Sequence, residues 1–303
     1  MTVNAERLPS SKTAREVEFH QPGVYLCLLV NHTERSLRVI DFRAGLSREK
    51  RRLVVDFAVE HRIERLFTLV ERDEVAAWVR LGFAREGTIP SFYKRSDAYV
   101  LGALTASLRL SHQSGTRPAL ALKNEAAARV ALETAHQEAR DLATGWKLSG
   151  SGVRVAVAPE ADVQRAKAAV KRAGWSPITL DSFSRGADQW HYSCTVKGAP
   201  ALLVAVESQA CFDNAMLEIL ARPRGDKEGL WMARALAEVL STLRERGIVS
   251  CFAMTPVSDP VLGAIYAKNG FRRTGIMNDH LPAAKGRESA FLWTRKLAQP
   301  DEP

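Results

Sequence analysis

The sequence predicts a mixed α/β fold in two tandem lobes, the first of them shortened at its N-terminus. Three observations predict it. Short apolar runs of strand character alternate with stretches in which apolar residues recur at helical spacing. The order hairpin, helix, strand, helix, Gly-Phe, strands occurs twice. The two copies also keep register. "WVRLGFAREG" (78–87) and "YAKNGFRRTG" (266–275) each run from an aromatic residue through Gly-Phe to a second glycine five residues after the first. Gly45-Leu46 answers to Gly229-Leu230, and Ile63 and Phe67 answer to Ile248 and Phe252. A period this long is a repeated domain rather than a solenoid unit.

The polar tail to about residue 15 is expected to stay mobile. "VYLCLLV" (24–30) and "SLRVIDF" (36–42) read as an antiparallel hairpin around the polar turn "NHTER". "SREKRRLVVDFAVEHR" (47–62) carries Leu53, Val54, Phe57 and Ala58 at helical spacing. "IERLFTLV" (63–70) is a strand, and "RDEVAAWVRLGF" is a helix opened by Asp73 as N-cap and closed at Gly82. "REGTIPSFYKRSDAYVLGAL" completes the lobe with a strand pair. Residues 106–122 read as irregular, and 123–146, rich in Ala and Glu, as one helix, a spacer packed across both lobes. "KLSGSG" (147–152) is a hinge. The expected organisation is therefore a lobe at 16–105, a bridge at 106–152 and a complete lobe at 153–298.

In the second lobe, strand "VRVAVA" (153–158) precedes a helix ending at Gly174. "WHYSCTV" and "ALLVAVE" are strands around a Lys197-Gly198 turn, followed by strand "NAMLEILA" and the amphipathic helix 229–247. "IVSCFAMT" is a strand. "SDPVLGAIYAKNGF" is a helix capped by Ser258 or Asp259, with Pro260 in its first turn. "SAFLWTRKL" closes the sheet, and His280 in "NDHLP" reads as a surface loop residue.

Hydrophobic residues make up 46% of the 303 and charged residues 25%, enough to bury a core in each half. No apolar run approaches the roughly 20 residues of a membrane span, and "MTVNAERLPSSKTARE" lacks the apolar segment of a secretory signal. Cys27, Cys194, Cys211 and Cys251 show no CxxC spacing, and three lie in strand-like runs, so reduced core residues and a cytoplasmic setting are expected. The histidines show no metal-ligand spacing, and no metal is expected. The net charge of +9 admits a polyanionic partner, but the charges are mixed with acids along both halves. Without a Lys/Arg block or aromatic interleaving, nucleic acid is disfavoured.

The strand-helix-strand-helix-strand order after a hairpin, ending in "YAKNGFRRTG" and "LWTRKL", resembles the GNAT superfamily of acyl-CoA-dependent N-acyltransferases. "GFAREGTIPSFYKRSDAYV" (82–100) is also similar to the end of bacterial and archaeal β-lysine N-acetyltransferases, which share a Glu-x-x-Ile-Pro-x-Phe-Tyr phrase. The resemblance implies acetyl-CoA as co-substrate. Its pyrophosphate would sit on a Gln/Arg-x-x-Gly-x-Gly/Ala turn before the long helix, where small residues let it reach backbone N–H groups. Its pantetheine arm would lie between two splayed strands. A helix tyrosine would protonate the leaving thiolate, and a strand carboxylate would deprotonate the acceptor amine.

Carried onto this chain, the resemblance makes Tyr266 the general acid and Glu218 the base, with Glu207 a second candidate. "RPRGDKEGLW" supplies Arg222, Arg224, Gly225, Gly229 and Leu230 for the pyrophosphate, but Trp231 stands where the final small residue belongs and would block the seat unless the loop is reregistered so that Gly225 serves. In the first lobe, Gly45 and Ser47 retain a small-residue turn, while Trp78 replaces the acid and has no proton to give. The implied function is acetyl transfer to a primary amine of a small molecule or peptide. The alternative is a catalytically inactive tandem binding or regulatory protein. A two-lobed chain can mimic a dimer of single lobes, which favours a monomer.

Overall fold

A computed structural model of the chain describes residues 14–297 except 44, 94, 115–124, 149–152, 173–187, 197–198, 210–211, 221 and 284. The first half contains β1 (Ala14–Gln21), β2 (Val24–Asn31), β3 (Ser36–Asp41), α1 (Arg48–Glu60), β4 (Arg65–Val70), α2 (Val75–Arg80), β5 (Ala84–Ile89), β6 (Ala98–Leu104) and α3 (Thr105–Ser114). A bridging helix, α4 (Glu125–Gly145), leads to β7 (Val153–Val157), α5 (Glu160–Arg172), β8 (Asp188–Val196), β9 (Ala199–Gln209) and β10 (Asn214–Ile219). The chain continues through α6 (Asp226–Glu245), β11 (Ser250–Pro256), α7 (Pro260–Lys268), β12 (Arg272–Pro282) and β13 (Arg287–Lys296).

The described strands form one mixed sheet, in the order β1-β2-β3-β4-β6-β5-β12-β13-β11-β10-β9-β8-β7. From the seam between β5 and β12 the order reads alike in both directions, with one extra strand at the β7 end. Each half thus has a hairpin strand leading to a long helix, a parallel neighbour, a second helix and an antiparallel pair. This is the arrangement the acyltransferase resemblance implies.

The seam itself is a glycine pair, Gly87 opposite Gly275. A Cβ on Gly87 would lie 3.0 Å from the Gly275 Cα and 2.9 Å from Leu292 Cδ2, so side chains here would hold the two backbones apart. These are the second glycines of the two repeated phrases. The first ones, Gly82 and Gly270, have φ of +101° and +75° and end α2 and α7 in the left-handed conformation that favours glycine.

Three cores result. One lies under α1 and one under α6 and α7, while the third joins the opposite faces of the two half-sheets. Strand alternation sorts the residues. On β4, Leu66 and Val70 enter the first helix-side core while Phe67 and Leu69 enter the shared one. On β11, Cys251 and Ala253 face helices while Phe252 and Met254 face the first lobe. The central parallel strands are covered on both sides, which is why they read as continuous apolar runs. Phe92 of the "PSFY" loop fills the shared core, and its carbonyl accepts from Asn214 Nδ2 at 2.7 Å.

Several elements differ from the sequence reading. β1 begins at Ala14 and pairs with β2 along its whole length, satisfying an edge that would otherwise stay open. Glu74, not Asp73, holds the N-cap position of α2, with no side-chain cap bond, because residues 72–74 are spent on a turn. Residues 105–114 form α3 rather than irregular chain: Leu108 is buried and its carbonyl accepts from Arg51 Nη2 at 2.6 Å. The buried residues of α4 (Ala139 and Ala143) belong to the second core, so the helix packs on α7 rather than across both lobes. Asp259 is the cap of α7, its carboxylate accepting from Leu262 N at 2.9 Å. Cys27, Cys194 and Cys251 are buried and in no disulfide, and the Cys27 thiol donates to Glu16 Oε1 at 3.4 Å. Gly174, the Lys197-Gly198 turn, Cys211 and the hinge residues 149–152 lie outside the described residues.

His280 is not in a surface loop but on β12, 5% exposed, with its ring edge-on to Phe67 at 5.1 Å. Burial, with Arg65 and Arg287 nearby, holds its pKa well below the usual 6.5. The folded state therefore keeps it neutral while the unfolded chain takes up a proton below about pH 6.5. Its contribution is fully present above that value and is lost as pH falls toward the folded pKa, at up to about 1.4 kcal/mol per pH unit. Urea unfolding at a series of pH values should show this slope in the wild type and not in His280→Leu. Equal slopes would remove His280 as the cause.

Candidate functional site

β10 and β11 pair in parallel only from Asn214–Leu217 against Ser250–Ala253, then part into a fork. Tyr266 on α7 reaches this point, its hydroxyl donating to the Leu217 carbonyl at 3.4 Å. The ring packs edge-on against Phe271 at 5.2 Å and is 1% exposed. Burial, reinforced by the Glu218 charge, pushes the phenol far above its usual 10, so it carries its proton at neutral pH. Glu218 is the next residue on β10, also buried, two positions from Met216 and thus on the face of the shared core.

Glu207 stands opposite Met216 on β9, is buried, and accepts from Gln189 Nε2 at 3.2 Å. Burial lowers the pKa of Arg38 on β3, and the Glu207 charge is among the influences that oppose it.

The first lobe has the same fork. β3 and β4 pair from Ser36–Val39 against Arg65–Thr68 and then separate. Val39 takes the place of Leu217, and Thr68 that of Ala253. Here the Thr68 hydroxyl donates to the Val39 carbonyl at 2.8 Å. Trp78, buried and edge-on to Phe83 at 4.9 Å, fills the volume that Tyr266 fills in the other lobe. The exchange is compensated: where the strand provides a hydroxyl the helix carries Trp, and where the strand has Ala the helix carries Tyr.

The helix heads also differ from expectation. α6 begins at Asp226, a turn earlier than the reading 229–247, with Gly225 as its N-cap at φ +154°. Arg224 N donates to Glu228 at 2.6 Å, so the head of the helix already meets its own carboxylate. Arg222 lies 3.8 Å from Asp259 and 4.0 Å from Glu288. Gly229 is one turn inside the helix, where a Cβ would come within 2.8 Å of the Trp146 ring and 2.7 Å of Val261. Leu230 and Trp146 line a cleft of about 800 Å³ that also presents Glu138, Asp141, Asp226 and Lys227.

Trp231 does not block this seat. It is half-buried, with the Lys227 ammonium 6.0 Å from its ring centroid. The indole that covers Gly229 is Trp146, delivered by the end of the bridging helix. Its only sequence signal is its place as the last residue of the amphipathic stretch before the Gly/Ser-rich hinge. In the first lobe, Ser47 caps α1 by accepting from Lys50 N at 3.3 Å. The buried Lys50 ammonium pairs with Asp41 and donates to the carbonyls of Arg43 at 2.7 Å and Gly45 at 3.0 Å. The carbonyls of the Gly45 turn thus converge on an internal cation.

No protein-family model matches the chain, and no curated protein matches it. Among solved structures it is similar to the ribosomal-protein-S18-alanine N-acetyltransferase of Escherichia coli, at 19% identity and TM-score 0.38 over 50% of this chain and 97% of that one. A ribosomal L7/L12 alpha-N-protein acetyltransferase in complex with coenzyme A overlays at 13% identity and TM-score 0.40, over 48% and 95% of the two chains. A spermidine N-acetyltransferase chimera that includes the Vibrio cholerae protein gives 12% identity and TM-score 0.40, over 48% and 96%.

Proposed function

We propose that the chain consists of two GNAT-type lobes, 16–105 and 153–298, of which the second transfers an acetyl group from acetyl-CoA to a primary amine of a small molecule or protein. The observation that carries this reading is the fork: a protonated Tyr266 hydroxyl where β10 and β11 part, with Glu218 one residue on. In a ternary complex the amine nitrogen attacks the thioester carbonyl carbon and the carbon–sulfur bond breaks. Tyr266 gives its proton to the leaving thiolate, and Glu218, directly or through a water, takes one from the amine. Arg222, Arg224 and the backbone at Gly225 would receive the pyrophosphate.

The fit to acetyl-CoA is incomplete as the side chains stand, because Trp146 covers Gly229 and carboxylates line the adjoining cleft. Productive binding on this reading requires Trp146 to swing aside. Titration calorimetry with acetyl-CoA should therefore give one site per chain, tightened about tenfold or more in Trp146→Ala, since a closed state reduces apparent affinity by the fraction that is open.

The burial of Tyr266 and the cover over Gly229 favour a second reading, a catalytically inactive two-lobed binding protein. No heat from acetyl-CoA, and no thermal stabilisation, in both wild type and Trp146→Ala would select it.

A further inference from the structure

Two adjoining cavities, the second of them also bordered by Pro90 and Ser91 of the first half, are walled by cations, and neither is lined by Tyr266, Glu218 or the head of α6. The first, about 680 Å³, lies between α4 and the end of α7 and presents His136, Arg140, Lys268, Arg272 and Arg273. The second, about 750 Å³, presents Ser250, Thr274, Arg295 and Lys296 and shares Gly270 and Arg272 with the first. Among the described residues no carboxylate lines either one.

Polar atoms without partners concentrate in these walls. Arg273 donates through Nη2 to Glu133 at 2.7 and 2.9 Å, but its Nη1 is buried and bonds to no group. Ser250 is 6% exposed and its Oγ has no partner, and the same holds for the buried Thr274 Oγ1. A buried polar group left unpaired is costly, and native proteins keep few of them. One beside the first cavity and two beside the second point to a ligand that completes them, the two hydroxyls reaching it by a step between staggered rotamers. The field is positive even with Glu133 present: burial, then Arg273 and Arg140, hold the His136 pKa below its usual 6.5.

The walls offer charge and hydroxyl donors rather than stacking surfaces. Of the rings bordering the first cavity, Phe271 and Trp293 are buried at 4% and 1% exposure, which leaves the half-buried imidazole of His136 as the ring a base could meet. We propose that the double cavity binds a small anion carrying two or more phosphate groups, one group in each cavity, with the Arg272 guanidinium between them. Arginine suits that place because its planar fork donates to two phosphate oxygens at once.

Calorimetric titration of the full chain with inorganic tripolyphosphate tests this. One site per chain is expected, weakened about tenfold or more by Arg272→Ser. Arg272 is exposed, so this change is not expected to disturb the fold. Lys296→Ser, also exposed, should weaken binding too, while Arg154→Ser on β7 should leave it unchanged. Loss of binding in Arg224→Ser but not in Arg272→Ser would move the anion to the head of α6 and overturn the proposal. So would the absence of heat with tripolyphosphate. Binding of an oligouridine strand without binding of tripolyphosphate would overturn it in favour of a nucleic-acid surface.

Discussion

Replacing Tyr266 by phenylalanine is expected to lower acetyl-transfer turnover by roughly 10²–10⁴, the range general acid catalysis supplies. The difficulty in reading such a result is that the hydroxyl also has a structural duty. It donates to the carbonyl of Leu217, the last residue of β10 paired with β11, and losing that bond costs about 1 kcal/mol. The first lobe shows how the two roles can be separated. There Thr68, on the neighbouring strand, donates to the equivalent Val39 carbonyl, and the helix aromatic is a tryptophan that takes no part. Ala253→Ser in the Tyr266→Phe background places a hydroxyl where Thr68 has one. If Tyr266 is the acid, this second change recovers stability in urea unfolding and leaves turnover depressed. If turnover returns with stability, or never fell, the hydroxyl is a strand support and the inactive reading gains.

The repeat was legible because its signals are local. Gly82 and Gly270 end helices and need positive φ, the following phenylalanines pack on the aromatic five residues earlier, and both features leave fixed spacings in the chain. The second glycines, Gly87 and Gly275, were visible in the same phrases, but their purpose was not. They meet each other across the seam, a contact between positions far apart in sequence. The candidate site was legible in the same partial way. Tyr266 and Glu218 both lie where β10 and β11 part, Tyr266 in the helix-side core and Glu218 on the strand face of the shared core. What covers Gly229 is an indole from outside the lobe, and no spacing within "RPRGDKEGLW" encodes Trp146. Buried charges hid for a related reason. Lys50 in "SREKRR" looks like one more solvated cation until the turn carbonyls that enclose it are placed. The misread surface position of His280 has the same origin, since β12 is polar in sequence yet lies between the lobes.

The largest expected loss of stability comes from Arg65→Met, at about 3–5 kcal/mol, because it strands a buried carboxylate. Arg65 on β4 and Glu86 on β5 form an ion pair whose side chains are 1% and 2% exposed. β6 runs between them, and Gly102 on that strand makes the room: a Cβ there would overlap both charged groups. Glu86 also accepts from Asn278 N on β12 at 3.2 Å, so the pair holds the seam as well as the first lobe. Burial already raises the Glu86 pKa above its usual 4.5, and Arg65 is the chief influence opposing it. Without Arg65 the folded state favours the neutral acid still more strongly. The sign of the pH effect follows. A carboxyl whose folded pKa is raised stabilises the fold below its unfolded value near 4.5, and that benefit is lost as pH rises through the folded pKa. The Arg65→Met deficit should therefore be largest near neutrality and shrink as pH falls toward that value, the direction opposite to the His280 effect. Adding Glu86→Leu removes the stranded charge and should recover most of the loss, as replacing a whole buried pair by apolar groups often does. A deficit independent of pH, and unrelieved in the double variant, would mean that lost packing of the arginine stem, not the unpaired carboxylate, sets the cost.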